Sequence, residues 1–352
     1  MILSKEAKQR YNAFWARSCV DRAVLNLSLH TGDSLIPATG DLRKKWEDAD
    51  FRLATIEAML SNTEWFAEGF PSYMINLGPG CLAAMLGGEF HYAPDTVWFG
   101  EHAACNELDD ICNLSFSDEN RMYRVVNDIT GKLSTAAAGR YMPAMTDLGG
   151  TMDVLASLRG RALLTDLYDD PEGVEKARDA IDVAWSQAYD ESYAVISAAG
   201  GGAMSAWMPI WCEGRWYPLQ SDFSALISRD FYQRFVDPSI RLQAKRLDHS
   251  IYHLDGVGEF PHLSSLLAIE ELDGIQWVPG SGKPNTAAEC WMEMYENIQA
   301  AGKNLVITDD LTTEETLYLL KNLSPKGLFI STSVESREAA AEIERKALEY
   351  AK

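Results

Sequence analysis

Short apolar runs, bounded by Gly, Pro or Asp, alternate along this chain with long stretches of helical periodicity. The runs Arg22–Leu29, Ser72–Leu77, Tyr141–Leu148, Gly202–Pro209, Ser250–Asp255, Gly274–Pro279, Asn304–Thr308 and Gly327–Thr332 are rich in Val, Ile, Leu or aromatic residues and predict strands. Helices are predicted between them. Asp118–Ala138 carries acids in its first turn, Asp170–Ala199 opens with Pro171, and Ser228–Leu247 opens with a Ser cap. Asn285–Ala301 stops at Gly302, Thr312–Asn322 has the Thr-x-x-Glu capping box, and Ser333–Ala351 closes the chain behind a Ser cap. The opening MILSKEAKQRYNAFWARSC reads as an amphipathic helix.

Eight strands spaced evenly between helices predict a (β/α)8 barrel with an N-terminal helical extension, one domain spanning residues 1–352. A doubly wound open sheet is the competing arrangement. It lacks its usual glycine fingerprint here: GPG at Gly78–Gly80 is not GxGxxG, and GSGKP at Gly280–Pro284 has Pro where a phosphate loop needs Ser or Thr. In a barrel the chemistry sits where strands end. That rule selects Asn76, Asp147, Cys212, Glu213, His253, Asp255, Gln276, Trp277 and Asp309.

Among these, SIYHLDGVGEF (Ser250–Phe260) stands out. Residues i and i+2 of a strand share a face, so His253 and Asp255 point the same way, into the barrel mouth if Tyr252 and Leu254 face the helices. An imidazole and a carboxylate are costly to bury unpartnered. One reading is a metal site, His253 and Asp255 with Glu213 or Cys212 as third ligand, since catalytic zinc takes three protein ligands. The other is a self-satisfied hydrogen-bonded pair. Asp222, in QSDFSALIS, is either a pocket acid or base or a turn carboxylate. Gln276 and Trp277 end a strand before a Gly/Pro loop, where Trp277 is either a flat substrate wall or core; Trp207, Trp211, Trp216 and Trp98 share that ambiguity. Asn76, Asp147 and Tyr217 complete the substrate-binding candidates. Arg140 leads into a strand, at the end that is normally structural.

Charge narrows the partners. Lys and Arg number 31 against 52 Asp and Glu, a net charge of −21, so nucleic acid and anionic lipid are poor partners. Six cysteines without a CxxC and an N-terminus without a signal-peptide apolar stretch suggest a reduced, cytoplasmic protein. The longest weakly polar run, Ala198–Trp211, is too short to span a bilayer.

Several stretches together resemble the uroporphyrinogen decarboxylase superfamily: RYNAFWARSCVDRAVL, INLGPGCLAAMLGGEF, MTDLGGTMDVLASLRG with LLTDLYDDPEGVEKA, SDFSALISRDFYQRFVDPSIR, YHLDGVGEFPHLSSLLAIEELDGIQWVPG and AGKNLVI. The resemblance implies a (β/α)8 barrel. The tetrapyrrole-decarboxylating branch carries an N-terminal RQAGRY-like motif; AAGRYMP (Ala137–Pro143) resembles it but lies far too deep in the chain. The other branch moves methyl groups between a corrinoid protein and a thiol or methylated donor, with zinc on a His-x-Cys pair at the strand matching YHLDG and on a later Cys. Here His253 matches the His, Asp255 stands at the Cys position, and Trp277 lies where a further thiolate would come. Zinc held by His253, Glu213 and Asp255 would be a harder Lewis acid, suited to polarising an ether oxygen.

The reading that follows is a methyltransferase-like enzyme passing a methyl group from a small methylated donor to a corrinoid protein or thiol. Asp222 and Asp255 are its catalytic candidates, zinc and a corrinoid-carrying partner its candidate helpers, and a homodimer its candidate assembly. A metal-free decarboxylase or lyase, with Arg215 pairing a substrate carboxylate, and a non-catalytic binding barrel stand as alternatives.

Overall fold

The computed structural model describes residues 2–32 and 37–351. The described residues form thirteen strands: β1 Val24–His30, β2 Thr63–Ala67, β3 Ser72–Met74, β4 Phe90–Tyr92, β5 Val97–Phe99, β6 Met142–Ala144, β7 Ala203–Met204, β8 Cys212–Glu213, β9 Trp216–Leu219, β10 His249–Asp255, β11 Gly274–Val278, β12 Asn304–Thr308 and β13 Leu328–Ser333. Seven form one sheet in the order β2-β1-β13-β12-β11-β10-β9. Every neighbour pair in it is parallel except β1 and β2. The result is an α/β fold around a central parallel sheet, with helices between successive strands.

Each of the eight predicted strand runs contains a strand, but the expected closed ring of eight is not formed by hydrogen bonds. β3 pairs only with β6, in parallel, and a single parallel bridge from Ala144 to Ser205 carries that pair on towards β7. Among the described residues no ladder joins β3 to β1 or β7 to β9. Length is the reason: β3 and β6 have three residues and β7 two, because the predicted run Gly202–Pro209 turns irregular after Met204. The place beside β10 is taken instead by β9, WYPL, in which Pro218 obscures the strand pattern. Proline lacks a ladder donor and is tolerated because β9 is an edge strand.

The helices follow their start signals. Asp170 accepts from Gly173 N at 3.0 Å and opens the 29-residue helix Pro171–Ala199. Thr312 and Glu315 form the reciprocal capping box before Thr313–Asn322. Three boundaries differ from expectation. The helix expected from Asp118 runs Arg121–Ala137 behind an Asn120 cap, so Asp118 and Glu119 lie outside its first turn. Ser333 ends β13 and Ser336 is the cap of Arg337–Tyr350. The stretch Asn285–Ala301 is α-helical only over Met292–Ala300, behind a 3-10 turn at Glu289–Trp291, since Trp291 Nε1 donates to Asn285 O at 3.0 Å and Asp309 accepts from Thr286 N at 3.0 Å, which hold the leading loop open.

The helix Lys5–Trp15 buries Ala7, Tyr11, Phe14 and Trp15, one face at helical spacing. Trp15 stacks on His249 at 4.5 Å and donates to Trp211 O, so this helix covers the end of the sheet where β10 begins. Beside it Glu68, fully buried, receives Arg22 at 2.5 and 2.9 Å, Arg10 at 3.0 Å and Leu25 N at 3.0 Å. With this end sealed, open space lies at the opposite rim, where the parallel strands finish. No helix among the described residues is long and apolar enough to cross a membrane.

Candidate active site

β10 and β11 run side by side with His253 opposite Gln276 and Leu254 opposite Trp277. Alternation therefore sorts them into two faces. Tyr252, Leu254 and Trp277 are fully buried on the face packed by helices; Trp277 stacks on Phe260 at 4.6 Å and meets Trp291 edge-on at 5.1 Å. His253 and Asp255, on the other face, are only partly buried. His253 Nδ1 lies 2.6 Å from Gln276 Oε1, and Gln276 Nε2 donates in turn to the Thr308 hydroxyl. An amide oxygen can only accept, so this relay places a proton on Nδ1 and leaves Nε2 free. Trp207 meets the imidazole edge-on at 4.9 Å.

Across the rim, Asp147 follows β6. Its Oδ1 accepts from Gly149 N at 2.8 Å, Gln220 Nε2 at 2.9 Å and Tyr217 Oη at 3.3 Å, and Tyr217 Oη accepts from Leu148 N at 2.7 Å. Burial raises the Asp147 carboxyl, against which those donors and the nearby His253 work. Gly150 makes the close approach possible: a Cβ there would lie 2.1 Å from Gln220 O and 2.4 Å from Asp153 Oδ2.

Carboxyl groups supply the rest of the site. Asp222 begins the 3-10 turn Asp222–Leu226 after β9, and is exposed to the opening. Its carboxyl is raised by desolvation and by Asp255 and Asp147, and His253 alone draws it down. Phe223 N donates at 2.7 Å to Asp153 Oδ1, while Asp153 Oδ2 is buried without a partner; desolvation, then Asp222, push Asp153 up to about 8. Glu259 is fully buried. Its Oε2 accepts from Tyr252 Oη at 3.0 Å and its Oε1 has no partner; desolvation, then Asp222, raise it to about 9. Both of these acids are therefore protonated at neutral pH. Beyond Asp255 a cavity of about 500 Å³ opens between Val278, Lys283, Thr308 and Asp309.

The structure thus gathers His253, Asp255, Gln276, Asp147, Tyr217 and Asp222. It does not gather the other expected site residues. Trp277 is core and faces away from His253. Glu213 is exposed on the β7–β8 hairpin and precedes β9, whereas His253 and Asp255 finish β10, parallel to it; Glu213 and Cys212 lie near Asp248 at the opposite end of the sheet. The expected trio His253, Glu213 and Asp255 is therefore not assembled. Among the described residues no three His, Cys, Asp or Glu side chains are arranged to hold a metal ion, so the residues present do not fit the expected zinc centre. Arg215 is also at that far end, paired with Asp190 and lying over the rings of Tyr189 and Tyr193. Arg140 pairs with Glu57 on the surface. Asn76 ends its strand run over a neighbouring cavity. Asp309 does share the cavity beyond Asp255, where Thr286 N and Asp310 N hold its carboxylate. Trp211 and Trp216 are core and Trp98 is exposed.

Four participants escaped the sequence reading. Gln220 and Thr308 are ordinary polar residues until the fold brings them beside Asp147 and Gln276. Asp153 reads as a first-turn helix acid, which it also is. Glu259 sits four residues beyond Asp255 in what the pattern gives as loop, and no local signal marks a buried carboxyl.

No family model and no curated protein matches the sequence. The fold is similar to a solved structure described as a methyltransferase from Methanosarcina mazei, with a TM-score of 0.61 over 98% of each chain at 11% identity. At that identity the likeness shows the fold alone.

Proposed function

We propose that this chain is a methyltransferase-like enzyme of the uroporphyrinogen decarboxylase superfamily, its parallel strands following a (β/α)8 barrel course. It would move a methyl group from a small, uncharged or cationic donor to a nucleophile, either a thiol or the corrinoid of a partner protein. One observation carries the reading: Asp147, Asp222 and Asp255 surround His253, and no Lys or Arg is among the charges acting on Asp222.

The arrangement suits acid chemistry on an uncharged leaving group. When the bond from the methyl carbon to its oxygen or nitrogen breaks, the electron pair stays on the leaving atom, which then needs a proton. Asp222 is raised towards the protonated state and reaches the opening, so it supplies that proton as the methyl carbon bonds to the nucleophile. A cationic donor leaves as a neutral molecule and needs only the carboxylates to bind it. Protonated Glu259 and Asp153 keep the interior from accumulating five negative charges. The His253–Gln276–Thr308 relay fixes the imidazole beside the acid. Decarboxylation of a small acid is disfavoured, because the substrate carboxylate would face the three aspartates without the arginine such binding needs.

The test offers cob(I)alamin or a thiol as acceptor and a panel of methyl ethers, methanol and methylated amines as donors. Methylated acceptor, lost in Asp222→Asn, is expected. Carbon dioxide release from small acids with no methyl transfer would overturn the proposal.

A further inference from the structure

Arginine burial in this molecule has one exception to its own rule. Arg22, Arg52 and Arg178 are the arginines less than a tenth exposed among the described residues. Arg22 is paired with Glu68 and Arg178 with Asp179. Arg52, 4% exposed, has no carboxylate partner among the described residues. Its Nε and Nη2 donate to Trp46 O at 3.2 and 3.1 Å, and Nη2 also donates to Asn76 O. Carbonyl dipoles satisfy hydrogen bonds but do not neutralise a charge, and an uncompensated buried cation is costly. Desolvation accordingly draws this guanidinium below its ordinary range.

The Tyr73 hydroxyl also lies within reach of the guanidinium, and Nη1, which has no carbonyl or carboxylate acceptor among the described residues, is not sealed off. It borders a cavity of about 490 Å³ to which Lys45, Thr39, Thr55, Tyr73 and Asn76 also contribute. Two cations and three hydroxyls around one space, with a guanidinium nitrogen bordering it, match an oxyanion. Asp95 is the opposing charge in the lining and is exposed. The site lies apart from the carboxylate rim, although the loop after Asn76 reaches it through Cys81 N, which donates to Asp147 O at 3.0 Å.

We propose that Arg52 and Lys45 form a binding site for a small oxyanion, a carboxylate, sulfonate or phosphate group, that supplies the missing counter-charge. The inference stands whether or not the chain transfers methyl groups. Its test titrates the purified protein with acetate, methanesulfonate and inorganic phosphate at constant ionic strength, against chloride, and follows the melting temperature. A saturable rise with at least one anion is expected, and the ranking of the three identifies the group. Arg52→Met should weaken binding tenfold or more, the loss of one charge-assisted pair. Lys45→Ala, at a half-buried residue, should weaken it several-fold, and Asp95→Asn should tighten it. No saturable response in the wild-type protein overturns the proposal, as does a folded Arg52→Met variant that binds like the wild type. Should Arg52→Met fail to fold, Lys45→Ala and Asp95→Asn decide: wild-type affinity in both overturns it.

Discussion

Glu259 carries a measurable signature of its environment. Its carboxyl lies in a dry position near Asp222, Asp153 and Asp255, with Tyr252 Oη at 3.0 Å as sole partner, and titrates at about 9 in place of its ordinary 4.5. The folded chain therefore holds a proton that the unfolded chain releases. An acid raised in this way stabilises the fold least at high pH. Unfolding free energy falls as pH rises from the unfolded value near 4.5 to the folded value near 9, with a slope of about −1.4 kcal/mol per pH unit from this single proton. Replacing it by the neutral isostere, Glu259→Gln, removes the titration. The substitution also leaves an amide donor unpaired, a constant cost of about 1–3 kcal/mol. Relative to wild type, the variant should thus be destabilised at low pH and gain about 3 kcal/mol between pH 5.5 and 8, so that the two stability curves converge or cross. Urea unfolding at four pH values in that window measures the difference. Tryptophan fluorescence and far-UV circular dichroism must give coincident transitions for the free energies to be comparable. A difference that stays flat within about 1 kcal/mol across the window would refute the argument, since it would mean that Glu259 ionises equally in both states.

Four further outcomes are expected. Asp222→Asn should lower kcat/KM for methyl transfer to an uncharged donor by about a hundredfold with little change in melting temperature; because the acid must be protonated, the wild-type rate should fall as pH rises, and the variant should lack that limb. His253→Ala should cost a similar factor, while Trp277→Phe, on the opposite face of the sheet, should lower stability by about 1–3 kcal/mol and leave kcat/KM within about threefold; the reverse pattern would invert the assignment of faces. Glu68→Gln leaves the buried Arg22 guanidinium only Glu344, at 3.7 Å, as counter-charge and should cost about 3 kcal/mol by calorimetry, and a loss under about 1 kcal/mol would show that the network is dispensable. Exhaustive dialysis against a chelator should leave the melting temperature unchanged, and a drop of several degrees would reveal a structural metal that the side-chain arrangement does not suggest.

The parts of this architecture that depend on local pattern were readable from the residues. β10 to β13 are long, apolar and cleanly bounded, and they lie where the alternation puts them. The same alternation places His253 and Asp255 on one face, and the i, i+2 rule needs no tertiary information. What could not be read depends on how distant segments meet. Pro218 masks β9 in the pattern, and without β9 the pattern puts Glu213 at the wrong end of a strand. Trp277 was ambiguous because its neighbours Phe260 and Trp291 come from separate segments. Glu259 and Asp153 acquire their character only from enclosure, which no short window of sequence encodes. The pairing of Asp147 with Tyr217 and Gln220 spans about seventy residues and is likewise invisible to spacing.

The uneven ladder has a kinetic corollary. His253, Asp255, Gln276 and Thr308 ride on strands hydrogen-bonded without interruption from β9 to β1, whereas Asp147 hangs from a three-residue strand tethered by one short pairing and a lone bridge. Backbone amides of the first group should exchange with deuterated water only through rare, large openings, and those around Asp147 through frequent, small ones. Side-chain bonds from Tyr217 and Gln220 are what fasten the less regular half of the pocket to the continuous sheet, with Cys81 N as a further tie on Asp147. A molecule entering between the two halves would be gripped by displacement of the Asp147 side alone, which is where slowed exchange on ligand addition should first be seen.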